Sequence, residues 1–125
     1  YTLNLFNRSS SYHLSMRISY PNRRDRKLGY TGSAIMIHGD CVSIGCLAMS
    51  DERIEELWVM ATALGVKKVQ VHLFPGRGLD AWIAKAPKPE LAAFWRNLKQ
   101  GNDLFEQDHT IPKVEAEDDG TYSFR

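Results

Sequence analysis

Ile37-His38-Gly39-Asp40-Cys41-Val42-Ser43-Ile44-Gly45-Cys46-Leu47-Ala48-Met49 is the stretch on which the reading of this chain turns. Just upstream, Ala34-Ile35-Met36-Ile37 is an apolar run too short for a helix and reads as a buried strand that delivers His38-Gly39 at its end. From Gly39 to Met49 the chain is small and turn-rich, with Gly45 immediately before Cys46. Ser50 then suits a helix N-cap, because its hydroxyl can accept from the orphan amides of the next turn. Asp51 and Glu52 fall where the helix dipole favours negative charge. The stretch therefore sets a histidine at a strand end and a cysteine on a glycine-supported turn just ahead of a helix.

Working outward, Leu14, Met16, Ile18 and Tyr20 alternate with His13, Ser15, Arg17 and Ser19, the period of a strand with one buried face. Pro21 and Asn22 stop it. Arg23-Arg24-Asp25-Arg26-Lys27 then reads as a basic, solvated loop reaching Gly29 and Gly32. After Ser50, Ile54, Leu57, Trp58, Ala61 and Leu64 are spaced for one helical face, and Gly65 ends the helix. Val69, Val71 and Leu73 predict a further strand, halted by Pro75 and Gly76. A short helix is expected around Asp80 to Lys85. Pro89 opens a longer one through Leu91, Phe94, Trp95 and Leu98, with Gly101 near its end. Ile111 to Val114 and Tyr122 to Phe124 read as two edge strands. Trp58 and Trp95 lie on helical stripes and read as core. Separated strands and helices of this kind predict an α+β domain and not a regular βαβ alternation.

With 125 residues the chain has the size of one domain. A formal net charge of +1 gives no electrostatic case for nucleic acid or an anionic membrane as partner. No apolar run approaches the roughly 20 residues of a transmembrane helix. No signal-peptide pattern is present, and because the chain opens with Tyr1 instead of Met, an upstream segment is expected to have been removed or left out. The two cysteines, Cys41 and Cys46, are too few and too close for a disulfide framework.

The residue types have a chemical use. A free cysteine, with pKa about 8.5, is only a few per cent thiolate at neutral pH and gains from an adjacent base. His38 suits that role, since imidazole can take the thiol proton and return one to a leaving group. Gly45 lets a substrate carbonyl approach the backbone, where the amides of Gly45 and Cys46 could hold an oxyanion. Ser43 could hydrogen-bond within the turn and support Cys46. Packing is the competing account: cysteines beside glycine are commonly buried small hydrophobes, and strand-end histidines are commonly packed or solvated. Residue types alone leave both open. Cys41, Cys46, His38 and His72 could in principle bind zinc, but their spacing matches no zinc pattern, so no metal and no organic cofactor are expected.

His-Gly followed by Ser-x-Gly-Cys resembles the active-site signature of the YkuD-type L,D-transpeptidase family. Ile37 to Cys41, Ser43 to Cys46 and Ala48-Met49 are similar to its YafK branch in particular. So are Ile18-Ser19-Tyr20-Pro21-Asn22, Asp25-Arg26, Thr31-Gly32-Ser33, Ala93-Phe94-Trp95 and Leu98-Lys99. Ile44 stands where the wider family carries an inner histidine, and the loop before Ser43 is shorter than in the wider family. Both features are those of the YafK branch. The resemblance implies a single catalytic domain over residues 1–125, the C-terminal, motif-bearing part of a longer chain, with a β-rich core, attached helices and N-terminal strands preceding Tyr1. It implies Cys46 as nucleophile and His38 as base in acyl transfer on peptidoglycan stem peptides through a thioester. An alternative is hydrolysis of the link between diaminopimelate and a wall-bound outer-membrane lipoprotein, and a further one is a wall-binding domain without turnover. Tyr20, Asn22, Arg26 and Gly39 are expected to line the substrate groove, with Arg26 reaching a carboxylate. A periplasmic location follows from the resemblance alone.

Overall fold

In the computed structural model, which describes residues 1–65 and 68–125, the alternating segment forms β2 (His13–Ile18) of a four-stranded sheet. The sheet is completed by β1 (Leu3–Ser10), β3 (Met36–His38) and β4 (Leu47–Ala48), in the order β1-β2-β3-β4. The first two pairings are antiparallel, whereas β3 and β4 run parallel. Registers Leu3↔Ile18, Phe6↔Met16, Met16↔Ile37 and Ile37↔Leu47 place these side chains on one face. Ser15, His38 and Ala48, paired in the same ladder, leave from the other.

The apolar face is covered by α2 (Asp51–Leu64), whose Ile54, Trp58 and Ala61 join Leu3, Met16 and Ile18 in the core. Burying side chains such as Ile54 and Trp58 contributes roughly 1.5–3 kcal/mol each. Ser50 caps the helix by accepting from the Arg53 amide, and Gly65 closes it at φ 91°. The buried stripe is narrower than expected: Leu57 and Leu64 are exposed. Trp58 is core as expected, with Phe6 packed on its ring.

Two segments differ from the expectation here. The basic run is not a loop but a short helix, α1 (Arg23–Lys27). Asn22 and Asp25 close its first turn as a capping box, Asn22 Oδ1 accepting from the Asp25 amide at 3.0 Å and Asp25 Oδ2 from the Asn22 amide at 2.9 Å. Val69 to Leu73 forms no strand. It makes a single bridge, Thr2 with Gln70, flanked by Leu3 N–H to Val69 O and Val71 N–H to Tyr1 O, so the pairing ends before a ladder develops.

The contacts divide the chain into two compact units, Tyr1–His72 and Leu73–Arg125. In the second, α3 (Leu79–Ala84) and α4 (Pro89–Asp108) precede a hairpin of β5 (Val114–Ala116) and β6 (Tyr122–Phe124). Gly101 does not end α4; the helix continues to Asp108, and the Phe124 ring occupies the space where a β-carbon at 101 would lie. Trp95 is half-buried, edge-on to Trp82. No helix among the described residues is long and apolar enough to cross a membrane.

Asn97 ties α4 to β6 by accepting from the Tyr122 amide at 2.7 Å and donating to the Tyr122 carbonyl at 2.8 Å. Asn97→Ala removes both bonds and is expected to lower stability by about 1–3 kcal/mol, read by denaturant unfolding.

Candidate active site

β3 ends on His38 because the next residues turn away. Gly39 donates its N–H to the Tyr12 and Leu14 carbonyls at the end of the β1–β2 hairpin, at 3.1 and 3.2 Å. A β-carbon at 39 would lie 2.5 Å from Asp51 Oδ1 and 3.1 Å from both the His13 Cβ and the Tyr12 carbonyl, so only glycine fits. The same Asp51 oxygen accepts the Asp40 N–H at 2.7 Å, fastening the loop to the first turn of α2. Asp40 and Cys41 both adopt left-handed backbone, at φ 64° and 44°. The Cys41 amide is held by the Met49 carbonyl at 3.1 Å.

His38 is 3% exposed. Its Nδ1 lies 2.7 Å from the Gly39 carbonyl, an oxygen that can only accept. Nδ1 therefore carries the proton of the neutral ring, and the lone pair is left on Nε2, the tautomer a base requires. The Tyr12 ring packs against the imidazole with centroids 4.7 Å apart and fixes its plane.

Cys46 sits directly before β4, two positions ahead of Ala48, the cross-strand partner of His38. That register brings the segment carrying Cys46 alongside β3, with the cysteine in the bend that leads into β4. The cysteine is half-buried and not sealed in the core, and both cysteines are free thiols. Its sulfur makes a long contact of 3.8 Å to the Ala34 carbonyl and has no hydrogen bond to the His38 ring.

Ser43 organises the turn. Its Oγ accepts from the Gly45 amide at 3.0 Å and from the Cys46 amide at 2.6 Å, and donates to the Cys46 carbonyl at 2.9 Å. The two amides named from the sequence as oxyanion donors therefore converge on one oxygen, and in this state that oxygen is the serine hydroxyl. Gly45 adopts φ 152°, outside the usual range of other residues, and nothing lies within 4 Å of where its β-carbon would be.

Tyr20, Asn22 and Arg26 stand on or beside α1. The Tyr20 hydroxyl donates to the Thr31 carbonyl at 3.1 Å, Asn22 is spent on the helix cap, and the exposed Arg26 donates to the Pro21 carbonyl. Asp25 is buried and accepts from the Tyr1 hydroxyl at 2.9 Å. Gly39 contributes its backbone to the site, holding His38. Of the residues that set the site, sequence reasoning missed Tyr12, Ala34 and Asp51. Only Asp51 carried a signal, as an acid at a helix start. Among the described residues, no group of three or more His, Cys, Asp or Glu side chains is gathered to hold a metal ion.

Ser43→Ala removes the shared acceptor. Amide hydrogen exchange at Gly45 and Cys46 is expected to quicken by about tenfold while global stability changes by no more than about 1–2 kcal/mol.

No protein-family model matches the chain. Two curated proteins of Escherichia coli, from strains K12 and O157:H7, each named "Putative L,D-transpeptidase YafK", are 42% identical to it over 108 residues. The match covers 84% of this chain and 44% of each relative, so the chain spans less than half the length of those proteins. With that identity across most of its length, the chain belongs to the YafK branch of the L,D-transpeptidase family.

Proposed function

We propose that residues 1–125 are the motif-bearing part of one catalytic domain that acts on peptidoglycan stem peptides through a thioester on Cys46. The observation that carries this reading is the pairing of β3 with β4. It lays His38, whose Nε2 bears a lone pair, beside Ala48, two residues after a half-buried thiol, and that neighbourhood supports the reading. Family membership supplies the substrate class, and with it a YkuD-like fold and a location in the cell envelope.

In the proposed reaction His38 Nε2 takes the Cys46 proton, and the thiolate attacks the carbonyl carbon of a diaminopimelate residue. The carbonyl oxygen, now negative, replaces the Ser43 hydroxyl between the Gly45 and Cys46 amides, where both donors already converge. Such preorganised donors are worth about 3–4 kcal/mol to a tetrahedral intermediate. Collapse breaks the C–N bond, and the departing amine takes its proton from His38. A second amine, deprotonated by the same ring, resolves the thioester and regenerates the thiol. The same buried imidazole, fixed by Gly39 and Tyr12, serves both steps in this scheme. Tyr20, Asn22 and Arg26 stand at a distance in sequence from the nucleophile, and their proposed part is in holding the stem peptide.

The test uses the whole protein with purified cell wall carrying bound lipoprotein. New bonds between stem peptides support transfer. Released lipoprotein without new bonds assigns water as the acceptor in place of an amine, and neither product leaves a wall-binding role. Cys46→Ala is expected to abolish product, and His38→Ala to lower kcat/KM by about 10²–10⁴-fold. At pH 6.5 the wild-type Cys46 should react with a thiol reagent much faster than a free cysteine, and His38→Ala should remove that advantage. Equal rates would sink the catalytic reading.

A further inference from the structure

Among the described residues Ile44 is the most exposed large apolar side chain, at 109% of its reference area, and Val42 on the same turn stands 56% exposed. Between them Ser43 turns inward to hold the Gly45 and Cys46 amides, so the turn's backbone is fixed while its two apolar side chains face water. An isoleucine in this state gives the fold nothing, because none of its surface is removed from solvent. It is also stiff at χ1, so little rotamer freedom is lost when something covers it. Beside it the space at Gly45 is open.

We propose that Ile44, with Val42 on the same turn, is a specificity surface for the alkyl side chain of the residue whose carbonyl Cys46 attacks. The argument rests on the reading of Cys46 as an acylated nucleophile and deepens it. A carbonyl oxygen seated on the Gly45 and Cys46 amides fixes the acyl carbon at the turn. The side chain of that same residue begins two bonds away and must leave past the turn's exposed surface. That surface is aliphatic, and it fits a run of methylenes better than a small or charged group. Ile44 is one peptide from the oxyanion donors yet outside the acid–base machinery, so it tunes which acyl group is accepted without touching the proton transfers.

The probe is a series of N-acetyl amino-acid thioesters sharing one leaving thiol, with methyl, propyl and butyl side chains (alanine, norvaline and norleucine). The Cys46 thiolate adds to the thioester carbonyl and expels the leaving thiolate, which takes up the proton the cysteine lost. Acylation of Cys46 is followed by mass spectrometry of its peptide, and each rate is divided by that of glutathione with the same thioester. In the native protein the butyl compound should acylate about five- to tenfold faster than the methyl one, from partial burial of three methylenes. Ile44→Asn should compress the ratio to below about twofold while alkylation of Cys46 by iodoacetamide, which forms no oxyanion, stays the same. A native ratio already near one overturns the proposal, as does a preference that survives Ile44→Asn or a variant whose alkylation falls in step with its acylation. The wall reading fails separately, through inactivity on cell wall or indifference of Cys46 to His38→Ala, and neither affects the measured chain-length preference.

Discussion

The site hangs on the parallel pairing of two very short strands. The Met49 amide donates to the His38 carbonyl at 2.9 Å, and Ile37 and His38 lie beside Leu47 and Ala48. Strand side chains alternate with a period of two, so this register alone decides which residues near the turn share a face with the imidazole. A slip of one residue would send Ala48 toward the helix-covered face and bring Leu47 to the histidine. Such a slip is resisted from both sides. Toward α2, Ile37 and Met16 are locked into the apolar core, and at the strand end Gly39 is wedged between the hairpin and Asp51. A pairing too short to be stable alone is thus fixed by packing on its neighbours.

The electrostatic character of the site comes from the backbone and not from a cluster of charged side chains. The Gly39 carbonyl chooses the histidine tautomer, the Ala34 carbonyl receives the thiol, and the Gly45 and Cys46 amides meet on a single oxygen. Backbone dipoles of this kind keep their orientation while charge develops, which is the property a tetrahedral intermediate rewards. Ser43 has a double part in that design. It holds the donors in convergence, and it occupies the place they converge on.

What could be read from the sequence followed the strength of the local signal. The alternation at 13–18 is uninterrupted, and β2 was legible with its core face, although Ser15 on the opposite face is buried as well, at 3% exposed. Ser50 and Gly65 bracket α2 with cap chemistry, and both ends were legible too. β1 was not, because a bulge between Leu3 and Leu5 shifts the register and puts Leu3 and Phe6 on one face, a spacing of three that breaks the alternation of a strand. α1 was hidden by its charges, although Asn22 and Asp25 at the spacing of a capping box were there to be read. Gly101 looked like a helix end and is instead the place where an aromatic ring lies against the helix. At the candidate site, the motif singled out His38 and Cys46 as expectations. Tyr12 and Ala34 touch them through hairpin and loop geometry that no local pattern encodes.

Asp40 and Cys41 are consecutive non-glycine residues in left-handed backbone, each costing about 1–2 kcal/mol. That strain is offset by two hydrogen bonds, from Asp40 to Asp51 and from Cys41 to Met49, with no apolar burial of Cys41 or Val42 to add to them. The turn therefore rests on a smaller free-energy reserve than the sheet and helix that carry it. On warming, it is the turn that lets go first. Disordering of the turn and loss of the fold become two separate thermal events, the first invisible to a calorimeter tuned to the second.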